Sequence, residues 1–281
     1  MPMNNLYILT LNWRGKEKLE KLAPTLLASL ENIGCSWSWL VKDNASGDGS
    51  IEYLNSLNNP NIEVFDYTNN QQNFSEGCNY LFNIASPSDG DYVMLLNNDI
   101  IFNDTVSIKN MLSIIQKDSS VGMVGARLLY TGTNKLQFAG TIFDPTYRTP
   151  MHYRAGEVSD KNAELNRTFQ AVTGAVCIIK AEYYRNIFTN TNGVKGLDHG
   201  FKFAFDDVDA SLAIKYNMQK KIVYCGSTNI FHEESASLKK NPVNKLFLNH
   251  NLKYFFQKWT GRYDIDRKAY TENPKHNLYL G

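Results

Sequence analysis

One stretch limits what this chain can fold into more than any other. Tyr92–Phe102, YVMLLNNDIIF, runs five apolar or aromatic residues straight into Asn97, Asn98 and Asp99 before the apolar run resumes. Ser88, Asp89 and Gly90 bound it as turn residues, and a continuous apolar run of this length reads as a strand buried on both faces. Burying three polar side chains without partners would cost about 2–7 kcal/mol for each group. The triplet is therefore expected where the strand leaves the sheet, which in open α/β sheets is where ligands bind. A carboxylate with two amides beside it suits a hard divalent cation carrying phosphate oxygens. A polar strand end that merely caps a turn is the other reading, and the stretch alone does not separate them.

The residues before it alternate strand and helix. Leu6–Leu11 reads as a buried strand ending in Asn12, Trp13, Arg14 and Gly15; a helix follows, with Leu19, Leu22, Leu26, Leu30 and Ile33 on one face, and Gly34 stops it. Trp37–Val41 makes a second strand with Asp43, Asn44 and Ser46 beyond its end, and Ser50–Leu57 a short helix. A third strand, Ile62–Asp66, leads through a polar loop, Asn69–Asn73, into a helix over Phe74–Ala85. Short connections between alternating elements predict a mostly parallel, doubly wound sheet flanked by helices. Three strand ends then share one edge: Leu11-Asn12-Trp13, Asp43 and Asn97-Asn98-Asp99. A carboxylate there can accept from a pyrimidine N–H and an aromatic can stack on a base, although Asp43 reads equally well as a turn residue. No Gly-rich dinucleotide fingerprint or P-loop is present.

The second half changes character. Val121–Leu129 and Lys135–Phe143 read as strands, and Pro145–Arg167 as a long polar connection of the kind that forms lids or binding segments. Thr168–Ile179 returns to a buried strand, with Gly174 marking a bulge or a close approach to a ligand. Asp206, Asp207 and Asp209 open a helical run. The helix dipole and capping explain one or two of them, but adjacent like charges repel, and a carboxylate beside a bound metal suits a general base. After a short strand at Ile222–Cys225, His232 follows Ile230-Phe231, as a structural histidine or as a second metal ligand beside Asp99. Lys245–Trp259 is an amphipathic helix with Leu248, Leu252, Phe255 and Trp259 on a stripe. Core packing is its default, and a peripheral contact with an anionic membrane surface the alternative.

With 43% hydrophobic residues, 20% charged residues and a net charge of +1, nothing draws the chain to nucleic acid, and no such partner is expected. No apolar run approaches the length that crosses a bilayer, and Met1–Asn5 does not begin a signal peptide. Cys35, Cys78, Cys177 and Cys225 form no CxxC pair, so reduced thiols and a cytoplasmic setting, peripheral at the inner membrane face at most, are expected.

Taken in order, LTLNWRG, DNASGDGS (43–50), NFSEGCNY (73–80), DYVMLLNNDI (91–100), VGMVGARLLY (121–130), AVTGAVCII (171–179), FDDVDASL (205–212) and HEESAS (232–237) resemble the family 2 inverting glycosyltransferases of GT-A fold, over roughly residues 5–260. The resemblance implies a GT-A domain over 1–240, with a nucleotide-binding half (1–103) and an acceptor-binding half (104–240), and a C-terminal helical extension over 241–281. It implies that Leu11, Asn12 and Trp13 hold the base and Asp43 contacts its edge. Asn79, Asn97, Asn98 and Asp206 fall with the donor-binding positions. Asp99, aided by His232, would hold Mg2+ or Mn2+ against the donor diphosphate. Asp207 would be the general base that takes the proton from an acceptor hydroxyl, of a saccharide or lipid-linked glycan, attacking a UDP- or dTDP-linked hexose or deoxyhexose. Such an enzyme would serve cell-surface polysaccharide biosynthesis. Asn97 replaces the first acid of the metal motif, Asp206 the usual glutamate, and Asn73 a glycine. A sugar nucleotidyltransferase, or a non-catalytic relative that binds donor or partner, are the alternatives.

Overall fold

A computed structural model of the protein describes residues 4–31, 33–66, 72–189, 193, 195–202, 204–233 and 242–281. The first half follows the expected alternation: β1 (Leu6–Asn12), α1 (Lys16–Leu30), β2 (Trp37–Asp43), α2 (Ser50–Ser56), β3 (Ile62–Asp66), α3 (Phe74–Ala85) and β4 (Tyr92–Leu96). β4, β1, β2 and β3 lie side by side and parallel. α1 forms because Leu19, Leu22, Leu26 and Leu30 recur on one face and are all buried against the sheet. A capping box starts α3: Asn73 Oδ1 accepts from the Glu76 N–H at 2.9 Å, and Glu76 Oε2 from the Asn73 N–H at 3.0 Å. Register pairs Asn12 with Asp43 and Asp43 with Asp66, so the three strands end together. The polar loop expected at 69–73 lies mostly outside the described residues.

The second half comprises β5 (Ile100–Phe102), α4 (Ser107–Lys117), β6 (Val121–Tyr130), β7 (Leu136–Phe138), β8 (Thr141–Phe143), β9 (Pro150–His152), β10 (Arg167–Phe169), β11 (Val176–Lys180), α5 (Ala181–Asn186), the hairpin strands β12 (Phe188–Thr189) and β13 (Lys195–Gly196), α6 (Asp206–Leu212), β14 (Lys221–His232), α7 (Pro242–Trp259) and α8 (Arg267–Glu272). The central sheet runs β10-β14-β6-β11-β4-β1-β2-β3, with β11 antiparallel to both neighbours and β14 parallel to β6.

Two stretches expected as single strands are broken, and a third parts where its polar triplet was expected to leave the sheet. Tyr92–Phe102 splits at the polar triplet. β4 stays central, whereas β5 pairs antiparallel with β14, His232 facing Ile100. Thr168–Ile179 splits into β10 and β11 on either side of a crossing segment that contains Gly174. Lys135–Phe143 becomes β7 and β8, which pair with different partners. Conversely, the apolar stretches around Ile222 and Ile230 form one strand, β14, with a register shift between Cys225 and Ile230. In α7, Phe255 and Trp259 are fully buried as expected, but Leu248 is 37% exposed. The chain beyond α7 packs back on the sheet edge: Tyr270 stacks on Phe169 at 4.5 Å between ring centroids, and Arg167 bridges to Leu278. Among the described residues no helix is long and apolar enough to cross a membrane.

β6 runs past the crossing segment with no room to spare, because a Cβ at Gly125 would meet the Cβ of Val172 and lie 2.8 Å from its Cγ2. Val172 is fully buried and cannot swing away. Gly125→Ala should lower stability by about 1–3 kcal/mol, seen as a lower urea midpoint with an unchanged slope.

Candidate functional site

A chain of hydrogen bonds ties the strand ends together. Asn12 Nδ2 donates to Asp43 Oδ2 at 2.7 Å, and Asn98 Nδ2 donates to Asn12 Oδ1 at 2.7 Å. Asp43 also accepts from the Ser46 N–H at 2.7 Å and the Ser46 hydroxyl at 2.8 Å. Gly15 is required beside this chain, since a Cβ there would strike both Asn12 Oδ1 and Asn98 Nδ2. Asp43 is thus enclosed and both its oxygens are engaged. It forms part of the wall of a recess of about 280 Å³ lined also by Ser46, Asp48 and Asp66. Trp13, by contrast, stands 52% exposed, with the Arg14 guanidinium 5.2 Å from its ring centroid. Leu11 is half-buried under α3, where Gly77 makes room for it: a Cβ at Gly77 would lie 2.6 Å from Leu11 Cδ1.

The end of the triplet meets β14. His232 Nε2 lies 3.1 Å from Asp99 Oδ1, and Asn97 Nδ2 is 3.5 Å from the same ring nitrogen. The other ring nitrogen, Nδ1, is 2.7 Å from Gln137 Oε1, while Gln137 Nε2 donates to the His232 carbonyl at 3.4 Å. This orientation of the amide assigns the Nδ1 proton to the Gln137 bond and leaves the Nε2 lone pair toward Asp99. A nitrogen lone pair and a carboxylate oxygen 3.1 Å apart are spaced as neighbouring ligands of one divalent cation, which holds each at about 2.0–2.2 Å. The residues therefore fit a metal ion. Among the described residues no group of three or more His, Cys, Asp or Glu converges on one point, so Asp99 and His232 would supply two ligands. Lys18 Nζ is 3.3 Å from Asp99 Oδ2.

Across the cleft, α6 divides its three acids. Asp207 Oδ2 accepts from the Gly174 N–H at 3.0 Å, and its Oδ1 from the Val208 N–H at 2.8 Å. Gly174 is needed for that approach, because a Cβ there would lie 3.0 Å from Asp207 Cβ. Asp206 accepts from the Ser75 hydroxyl at 3.2 Å, and burial first, the charge of Asp207 second, push it up to about 7. Asp207 and Asp209 lie about 200° apart around the helix, and Asp209 turns to the interior. There it accepts from Trp259 Nε1 at 2.7 Å and Lys258 Nζ at 2.9 Å, Lys258 being shared with Asp198 at 2.8 Å. Asn97, His232, Gly174, Asp206 and Asp207 line one cleft of about 510 Å³, together with Tyr130 and His152.

The profile of glycosyl transferase family 2 matches residues 16–188, more than half of the chain. The protein belongs to that family. No curated protein sequence matches it. Its structure is similar to GalNAc-T7 with UDP, GalNAc and Mn2+ (10% identity, TM-score 0.61, 95% of this chain and 58% of that one). It is similar also to the mannosyltransferase PcManGT from Pyrobaculum calidifontis with GDP-Man and Mn2+ (12%, 0.61, 94% and 66%) and to S. aureus TarS 1-349 (12%, 0.55, 92% and 74%). The fold is therefore GT-A. The chain spans 58% of the first of these proteins.

In this family 2 chain the expected site residues fall into three groups. Asn12, Asp43 and Asn98 form the strand-end chain; Asn97, Asp99 and His232 meet at one corner; Asp206 and Asp207 line the same cleft as Asn97 and His232. Asn79 lies outside these groups. It is 2% exposed, with its amide engaged by the Leu197 N–H and carbonyl, both at 2.8 Å, and by the Tyr184 hydroxyl at 2.9 Å, so it ties down the loop after β13. Gln137 and Lys18, which the sequence did not single out, join the corner through His232 and Asp99. No motif surrounds either of them, and only the pairing of distant elements brings them there.

The division of acids in α6 has two consequences. Asp209→Ala would leave Lys258 and the Trp259 N–H short of a partner in the interior and should lower stability by on the order of 3 kcal/mol in urea unfolding. Asp206, with a folded pKa above the unfolded 3.8, favours the folded state fully at low pH, and that contribution is lost as pH rises from about 4 through about 7. Asp206→Asn should therefore match the parent protein in stability at pH 4 and exceed it at pH 8.

Proposed function

We propose that this protein is an inverting glycosyltransferase that moves a sugar from a nucleoside diphosphate donor to a hydroxyl of a saccharide or lipid-linked glycan. The observation that carries this reading is the cleft itself. Asp207, whose carboxylate accepts from the Gly174 N–H, lines the same cleft as His232, whose ring lies 3.1 Å from Asp99. A single in-line displacement at the anomeric carbon needs a base on one face of the sugar and charge neutralisation on the other, and it inverts that carbon. Asp207 takes the proton from the attacking hydroxyl, with its oxygens held in place by two backbone N–H donors. Asp206 beside it, neutral in part near pH 7, limits the repulsion between the two. Asp99 and His232 would hold a divalent cation, Mg2+ or Mn2+, which would supply positive charge to the leaving diphosphate. Lys18 adds positive charge on the same side.

The exposed Trp13 ring and the recess beside Asp43 suit the base of the nucleotide and support a donor-binding half over residues 1–103, leaving 104–240 for the acceptor and 241–281 as a helical extension. Solved neighbours with UDP or GDP-Man and Mn2+ support a nucleotide-sugar donor and a divalent cation. The poised Asp207 favours turnover over a binding-only role.

Calorimetric titration with UDP, dTDP and GDP, each with and without Mn2+, tests the reading on the parent protein and on Asp207→Asn. One nucleotide should bind in a metal-dependent way to both proteins with similar affinity, while Asp207→Asn loses transfer by about 10²–10⁴-fold. Retained transfer in the variant would overturn the base assignment. Failure of the folded parent to bind any nucleotide would favour a partner-binding protein.

A further inference from the structure

α7 carries two apolar lines, and the fold uses only one. Asn251, Phe255 and Trp259, at i, i+4 and i+8, are fully buried. Leu248, Leu252 and Phe256 repeat the same spacing about 100° further round and stay on the surface; Leu248 is 37% exposed and the other two are half-buried. Next to them Leu246 is 69% and Phe247 38% exposed. Asn249, Leu252, Lys253, Phe256 and Gln257 line a shallow groove of about 530 Å³ along this face. Two consecutive turns that present leucine and phenylalanine to solvent mark an interaction surface.

The charge of the segment points to its partner. From Ser235 to Tyr263 the sequence carries Lys239, Lys240, Lys245, Lys253, Lys258 and Arg262, and not one carboxylate, in a chain whose net charge is only +1. Lys258 is turned inward to Asp198 and Asp209, and Arg262 lies over the Trp259 ring, 4.6 Å from its centroid. Lys253 remains on the exposed face with the apolar groove, and the other three lysines fall in sequence at or just before the start of α7. A segment with this concentration of lysine and no acid repels a second copy of itself and is drawn to an anionic surface. Exposed leucine and phenylalanine beside lysine suit the boundary between headgroups and acyl chains.

We propose that α7 is a peripheral membrane-docking helix that seats its Leu246–Leu248 turn and the Leu252/Phe256 line in an anionic lipid surface. The same helix touches the acceptor side of the cleft. Asn251 accepts from the Lys202 N–H at 2.9 Å and donates to the Ala204 carbonyl at 3.0 Å, and Lys202 and Ala204 line the cleft beside Asp207. Docking through α7 therefore holds the cleft next to the bilayer, where a lipid-linked acceptor would present its sugar. That last step rests on the proposed transfer reaction, whereas the lipid contact does not.

Co-sedimentation of the full chain with vesicles of phosphatidylcholine alone, and of phosphatidylcholine with phosphatidylglycerol, tests the docking. The protein should bind the anionic vesicles at least tenfold more tightly than the neutral ones, with affinity falling as salt is raised. Lys253→Glu should weaken binding by roughly fivefold or more. Leu246→Ser combined with Leu248→Ser should weaken it further at unchanged circular dichroism, because both side chains are already exposed. Absence of binding to anionic vesicles by the folded protein would overturn the proposal. So would a dimer in solution that the double serine variant converts to monomer without changing vesicle binding, since the face would then belong to a second copy. Nucleotide titration of the same samples keeps the two readings apart: metal-dependent nucleotide binding without vesicle binding removes only the docking helix.

Discussion

The cost of enclosing polar side chains at the end of a buried sheet shapes this molecule more than any single contact. Asn12, Asp43, Asn98 and Asp99 stand where three parallel strands stop, and three of the four are almost completely shielded from solvent. Each group in that position costs about 2–7 kcal/mol if left alone. The fold answers by joining them: Asn98 to Asn12, Asn12 to Asp43, Asp43 to Ser46. The chain of bonds fixes the register of β1 against β2 and leaves Gly15 as the only residue type that fits beside it. The strand ends are thereby joined side chain to side chain, with Asp99 next in sequence to Asn98 and 3.1 Å from His232.

The same logic governs the acids of α6. Three carboxylates in one turn repel, and the helix relieves this by sending them to different surroundings. Asp209 goes to the interior, where a lysine and an indole N–H engage it. Asp207 goes to the cleft, where backbone N–H groups engage it. Asp206 between them gives way in protonation, its pKa lifted by burial and by its neighbour. Helix-terminal acids are usually explained by the dipole alone. Here the dipole accounts for their tolerance, and the tertiary partners account for their separation of roles.

Much of this was legible in the sequence. The alternation of strands and helices through Leu96 and the expectation that Asn97–Asp99 sits at a strand exit follow from local patterns that the tertiary structure leaves unchanged; Gly174, read as a bulge or an approach for a ligand, instead makes room for Asp207. The breaks in the later strands were not legible. A run such as TFQAVTGAVCII has the composition of one strand, and only the order of strands in the sheet, with β11 inserted between β4 and β6, requires it to cross from one ladder to another. Gln137 and Lys18 were invisible for the same reason: a lone glutamine on a short strand and one lysine among several on α1 carry no signal until β7 and α1 are packed beside Asp99. The contacts of Asn79 to Leu197 were hidden likewise, since an asparagine within a family-like motif does not show in sequence that it holds a loop.

The C-terminal helix links these parts. Immediately before Asp206, Ala204 and Phe205 adopt left-handed backbone angles, φ 61° and 72°, which for residues with a Cβ cost about 1–3 kcal/mol each. Such a turn persists only where its surroundings over-determine it. α7 provides this: Asn251 grips the backbone at 202 and 204, while Lys258 and Trp259 hold Asp209 from below. The sharp turn aims the start of α6 so that Asp207 reaches the Gly174 N–H instead of pointing along the helix axis. Residues more than forty positions downstream thus set the direction of the carboxylate in the cleft. A deformation of α7, whether by substitution at Asn251 or by contact along its exposed face, acts on Asp207 through the backbone and not through any shared side chain.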